Sequence, residues 1–178
     1  VLARLLATET ALSVAVFSIC PSTELRGDAA LNAQRLPATV PVQVCPEQLP
    51  PQALQPGTIV VDALLGTGLS GELRPPYPPL IKQINDSRLP VVAVDIPSGL
   101  DGDTGKPLGN AVVADLTVTM ALPKYGLFHN DGREFCGRLR CVDIGVAPEH
   151  INEIEAYKNA IFAQDIAPLL SRRPRNSH

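Results

Sequence analysis

Two strand-to-loop junctions constrain this chain more than any other feature. Val60-Val61-Asp62-Ala63-Leu64-Leu65 runs into Gly66-Thr67-Gly68-Leu69-Ser70-Gly71-Glu72. Val91-Val92-Ala93-Val94-Asp95-Ile96 runs into Pro97-Ser98-Gly99-Leu100-Asp101-Gly102-Asp103-Thr104-Gly105. The β-branched and apolar run in each is fit for a fully buried parallel strand. Each then meets a glycine-rich loop beside an aspartate. Ligands of open α/β sheets bind beyond the carboxyl ends of the strands, so two such loops in one short domain predict a nucleotide-type pocket.

The rest of the chain alternates in the same way. A helix over 1–8 leads to a strand over 12–19, a helix over 28–36 that ends near Pro37, and a short strand Val42-Gln43-Val44-Cys45. A proline-rich connection over 46–57 precedes the strand at 58–64. Pro75-Pro76-Tyr77-Pro78-Pro79 reads as the start of a helix to Ser87, because proline is tolerated in a first helical turn. Further strands are predicted at 91–96, 114–120 and 139–144. Between the last two lie Lys124-Tyr125-Gly126-Leu127 and a turn at Asn130-Asp131-Gly132. A final amphipathic stretch runs from Phe162 to Leu170. The expected fold is α/β, a Rossmann-like, doubly wound and mostly parallel sheet with helices on both faces.

Composition removes several function classes. A formal charge of −3 gives no pull towards nucleic acid or an anionic membrane. No apolar run approaches the roughly 20 residues of a membrane helix. The four cysteines (Cys20, Cys45, Cys136, Cys141) form no CxxC pair and read as small core hydrophobes. His129, His150 and His178 have no metal-ligand spacing and read as exposed loop residues. A soluble, cytoplasmic protein is expected. Helical periodicity from Val1 and a basic stretch at 171–178 suggest a piece of a longer polypeptide.

The loop residues admit both structural and chemical roles. Backbone N–H groups of Gly66–Gly71 suit an anion, although a plain tight turn accounts for that loop as well. It is not a P-loop, which tells against ATP chemistry of that kind. Asp62 either caps the next turn or offers a hard oxygen to a cation. Asp95 closes an otherwise apolar strand, where a carboxylate can bind a ribose hydroxyl or act as a general base. Ser98 offers a hydroxyl to the same space. For Asp101 and Asp103 turn formation is the better account. Lys124 is either a solvated strand end or a cation reaching the rim.

Taken together, Asp62-Ala63-Leu64-Leu65-Gly66-Thr67-Gly68-Leu69, Asp95 to Gly105, Lys124-Tyr125-Gly126-Leu127 and Val142-Asp143-Ile144-Gly145 resemble the NAD(P)H-hydrate epimerase family, the YjeF N-terminal domain. The resemblance spans about residues 1–148. It implies a Rossmann-like fold, epimerisation of hydrated NADH and NADPH at C6 of the nicotinamide ring, and bound potassium. By motif, Asp62 and Ser98 match potassium ligands, and Gly66, Thr67, Gly68, Leu69, Ser70, Gly71 and Glu72 match the loop on the dinucleotide phosphates. Asp95 matches a residue contacting the substrate, and Lys124 a lysine near the nicotinamide, so these two are the catalytic candidates.

The family's Asn-Asn-Gly-Gly-Asp-Gly loop, which supplies phosphate-binding backbone and another potassium ligand, falls upstream of the helix at Val1. These 178 residues alone are therefore expected to bind the dinucleotide weakly. The stretch from Asp165 to His178 resembles the start of an ADP-dependent NAD(P)H-hydrate dehydratase domain. The implied division is an epimerase domain over 1–150 and a helix and linker over 151–178. The expected partners are the small-molecule hydrates NADHX and NADPHX and other copies of the chain, a homo-oligomer, with no nucleic acid and no membrane. A non-catalytic Rossmann-like module binding protein or RNA is the main rival, but it has no need of Asp62, Asp95 and Ser98 together. A hydride-transferring dehydrogenase is a weaker rival.

Overall fold

A computed structural model describes residues 1–69 and 71–152. Ser70 and the stretch from Phe162 to Leu170, both singled out above, lie outside the described residues. The chain falls into two compact units, Val1–Ile144 and Gly145–His178.

The first unit is α/β with parallel strands, as the alternation predicted. Its elements are α1 (Leu2–Glu9), β1 (Val16–Ser18), α2 (Gly27–Gln34), β2 (Val42–Val44), β3 (Val60–Asp62), α3 (Tyr77–Ser87), β4 (Val91–Val94), β5 (Leu116–Met120), α4 (Gly132–Cys136) and β6 (Arg138–Val142). Strands β1 and β2 pair parallel. Strands β3, β4, β5 and β6 form a parallel sheet in that order. Within the second unit, Pro148–Asn152 forms a short helix, α5. No described helix is long and apolar enough to cross a membrane.

Helix α3 shows how sequence sets packing. Pro78 and Pro79 occupy its first turn, where a missing N–H costs nothing. Leu80, Ile81 and Ile84 then recur at helical spacing and are buried. Ile81 and Ile84 join Val91 and Ala93 of β4, with Val112 and Ala114, in one core cluster. Each of the isoleucine and valine side chains stabilises the fold by about 1.5–3 kcal/mol. The helix ends at Arg88, whose φ of 53° turns the chain back towards β4. A second cluster, of Ile96, Leu100, Ala111, Leu127 and Cys136, lies beneath the loops that follow β4 and β5.

Several sequence expectations change in detail. The strand expected over 12–19 is ordered as β1 only at Val16–Ser18. The strands are not buried on both faces: Val92 and Val94 of β4 are half-buried, and Val61 of the edge strand β3 is exposed. The core cluster built on α3 takes Val91 and Ala93, so it covers only alternate residues of β4. The turn at 130–132 leads into α4, whose five residues are too few to show a helical period. Cys45 and Cys136 are buried as expected, whereas Cys141 is exposed. His129 and His150 are exposed, as expected.

The loop after β4 is held by close backbone approach. Gly105 has φ of 70°, and a side chain there would collide with the His129 carbonyl oxygen. Gly126 donates its N–H to the Gly102 carbonyl at 2.7 Å, which clamps this loop to the turn after Lys124. Gly57 also has a positive φ, 87°, but open space around it. Left-handed backbone costs an ordinary residue roughly 1–2 kcal/mol, and a steric collision adds to that. Gly105→Ala should therefore lower the urea-unfolding free energy by about 2 kcal/mol more than Gly57→Ala. Equal losses would mean that the close approach at Gly105 does not constrain the loop.

Candidate active site

The site gathers at the carboxyl ends of β3, β4 and β5. Asp62 is the last residue of β3 and is 1% exposed. Its Oδ2 accepts the Ser98 backbone N–H at 2.7 Å, and its Oδ1 accepts the Ser98 hydroxyl at 2.6 Å. Oδ1 also accepts the Leu64 N–H at 3.3 Å, the turn-capping bond foreseen for this residue. Ser98 is fully buried, and its Oγ accepts the Leu65 N–H at 2.9 Å. The loops after β3 and β4 are thereby joined through one carboxylate and one hydroxyl.

Burial pushes the Asp62 carboxyl above the usual carboxylate range, and the hydrogen bonds from the Ser98 hydroxyl, the Ser98 amide and the Leu64 amide oppose that only in part. Among the described residues no lysine, arginine or histidine forms an ion pair with Asp62. It is a buried acid held by neutral donors.

Asp95 is different. It is the first residue after β4 and has φ of 70°. Non-glycine residues reach that region at a cost, and aspartate is among the less unfavourable occupants. The turn carries its carboxylate to β5: Oδ1 accepts the Met120 N–H at 3.0 Å and the Thr119 hydroxyl at 3.2 Å, and forms an ion pair with Lys124. Lys124 Nζ also donates to the Met120 carbonyl at 3.1 Å. Burial works to raise the Asp95 pKa, but the bonds from Lys124, Met120 and Thr119 and the Lys124 charge outweigh it and hold the carboxyl below the usual range. All of these bonds fall on Oδ1. Oδ2 accepts none among the described residues and is the oxygen left for a ligand.

The remaining candidates lie around this pair. A side chain placed on Gly102 would touch Thr67 Cγ2, Lys124 Cγ and Ile96 Cδ1, at distances of 3.8, 3.7 and 3.5 Å. Loops after three strands therefore meet at Gly102. Gly66 and Gly68 have open space on the side where a side chain would stand, so their backbone is approachable. Leu69 is half-buried, while Gly71 has φ of 78° and faces open space. Glu72 lies against Gly109. Asp101 builds the turn, its Oδ1 accepting the Asp103 and Thr104 N–H groups. A groove lined by Asn85, Arg88 and Asp115 at the start of β4 contains none of these residues.

Sequence reasoning missed Thr119. Its signal was the spacing in Thr117-Val118-Thr119, which places two hydroxyls on one face of a strand. Both threonines are fully buried. Left-handed backbone at Ala121, φ 57°, was also unforeseen, because nothing in that residue type calls for it. It sits directly after β5 and starts the turn that returns Lys124 to the strand end.

Comparison with known proteins gives these residues a context. A bifunctional NAD(P)H-hydrate repair enzyme Nnr from Coxiella burnetii is 38% identical over 179 residues, which cover 100% of this chain and 36% of that protein. An NAD(P)H-hydrate epimerase from Rhodopirellula baltica is 36% identical over 141 residues, covering 79% of this chain and 58% of that protein. A third, an NAD(P)H-hydrate epimerase from Limosilactobacillus fermentum, is 42% identical over 93 residues, 52% of this chain and 45% of that protein. The chain thus spans little more than a third of the Coxiella enzyme. The family described as YjeF-related protein N-terminus matches residues 1–126, which include Asp62, Asp95, Ser98 and Lys124, and the chain belongs to that family.

Proposed function

We propose that this chain epimerises the R and S forms of hydrated NADH and NADPH at C6 of the nicotinamide ring, as the epimerase part of a longer bifunctional repair enzyme with an ADP-dependent dehydratase. Family membership supports the reaction class. The observation that carries the reading to residues is Asp95, turned out of its strand with three bonds on Oδ1 and none on Oδ2 among the described residues.

The hydrate's C6 bears a hydroxyl beside an enamine nitrogen. Two routes invert it. In one the hydroxyl leaves as water and returns on the other face, through a cationic ring. In the other the C6–N bond opens to an aldehyde and closes again after rotation. Both need an acid and an anion against the ring. A carboxyl held below its usual range stays ionised at neutral pH and is a weak proton acceptor. In this proposal Asp95 therefore chiefly positions the C6 hydroxyl and stabilises developing positive charge, and Lys124 supplies the proton donor. The backbone of Gly66, Thr67, Gly68, Leu69, Ser70, Gly71 and Glu72 receives the dinucleotide phosphates.

Potassium belongs to the same proposal. The donor set fits it: Asp62 and Ser98 are hard oxygen donors, and a buried carboxylate without a basic partner among the described residues favours a cation. Bound there, the ion would supply positive charge that offsets the carboxylate. Asp62 and Ser98 would hold it. A cytoplasmic setting belongs to the same proposal. Exposed apolar side chains at Val42, Val44, Ile59 and Val61 support assembly as a homo-oligomer, which a monomeric mass in sedimentation equilibrium would rule out.

In the full-length protein, Asp95→Asn should slow interconversion of the two hydrate epimers, followed by chromatography, by on the order of a hundredfold or more, with melting temperature nearly unchanged. Near-normal interconversion would sink the assignment of Asp95. Replacing tetramethylammonium with potassium should raise the melting temperature by about 2–4 °C. Asp62→Asn should abolish that rise, and a rise that survives the substitution would move the cation elsewhere.

A further inference from the structure

Thr119 is fully buried near the end of β5, and valine would fill the same volume. A hydroxyl buried there must be bonded to offset its desolvation. Its single proton goes to Asp95 Oδ1, at 3.2 Å, and its oxygen accepts from Lys124 Nζ at 3.3 Å. The three side chains thus form a closed ring, with Lys124 also bonded to Asp95 directly. Oδ1 receives a hydroxyl, an amide and an ammonium from three residues. Fixing one oxygen from three directions fixes the carboxylate plane, and with it the direction in which Oδ2 points.

We propose that Thr119 is a positioning residue for the reaction at C6, its hydroxyl setting the mutual orientation of Asp95 and Lys124. This rests on the epimerase reading given above. The left-handed backbone at Asp95 makes such support necessary, because a strained turn persists only where its surroundings over-determine it. Thr117, two residues earlier on the same face and equally buried, provides a contrast. Its hydroxyl donates to the Cys136 carbonyl at 2.7 Å, and among the described residues no hydrogen bond joins it to Asp95 or Lys124. One buried threonine ties β5 to α4, and the other orders the reacting groups.

The test uses the full-length protein with Thr119→Val, Thr119→Ser and Thr117→Val. Thr119→Val should lower kcat for epimer interconversion by roughly 10- to 100-fold with KM within about threefold, and Thr119→Ser should recover most of the rate. Thr117→Val should lower the melting temperature but leave kcat close to wild type. Added to Asp95→Asn, Thr119→Val should cause no further loss of rate, since it acts through Asp95. A kcat for Thr119→Val equal to that of Thr117→Val, or additive losses with Asp95→Asn, would overturn the proposal. A readout independent of turnover separates it from the epimerase reading: carbon-13 NMR of the Asp95 carboxyl. Thr119→Val should shift this signal and its titration midpoint upward, and Thr119→Ser should restore them. An inactive wild type, with the signal still moved by Thr119→Val, would refute the reaction but keep the positioning of Asp95. An unmoved signal would refute the role whatever the activity.

Discussion

The buried contact between Asp62 and Ser98 underlies everything else at the strand ends. Ser98 meets the carboxylate with both its amide and its hydroxyl, at 2.7 and 2.6 Å, and the hydroxyl also accepts the Leu65 N–H. One residue pair thereby fixes the loop after β3 against the loop after β4. The cost is a carboxylate buried among neutral donors, which is expensive in a low-dielectric interior. Replacing it with an apolar pair of similar volume would suit stability as well. Retaining an acid there makes sense if a cation shares the load, which is why the potassium proposal starts from this contact.

Asp95 lies only three positions before Ser98, the partner of Asp62, yet the two aspartates live in opposite surroundings. Asp62 is buried with no counter-charge among the described residues, and desolvation raises its pKa. Asp95 is half-buried and opposed by Lys124, and its pKa falls despite some desolvation. Two carboxylates of equal intrinsic acidity are set apart by environment alone, a pattern that assigns different tasks within one site. In the proposed function the first would hold the two loops and the cation, and the second would face the substrate. The clamp between Gly102 and Gly126 joins these tasks, because it carries Lys124 with the loop that Asp95 begins.

Much of this was legible in the sequence, and for identifiable reasons. Strand-to-loop junctions read well because apolar runs and glycines mark them locally, so Asp62, Asp95 and Ser98 stood out by position. Helix α3 read well because its buried residues keep a helical period behind the prolines. What escaped notice depends on contacts between distant residues. Nothing in Leu116-Thr117-Val118-Thr119-Met120 tells which hydroxyl meets Cys136 and which meets Asp95, since the register of β5 beside β4 decides it. Extent of burial escaped for the same reason: Val61 and Val92 have the composition of core residues, but their exposure depends on what covers each face. The left-handed turn at Ala121 has no compositional signal at all.

The central claim is that these loops accelerate inversion at one carbon of the hydrated nicotinamide ring. Its most direct test follows a single purified epimer of hydrated NADH by proton NMR, with and without the full-length protein. The protein should bring the sample to the equilibrium mixture of R and S forms far faster than buffer alone, with no other product in the absence of ADP. An unchanged rate of equilibration in the presence of folded protein would contradict it.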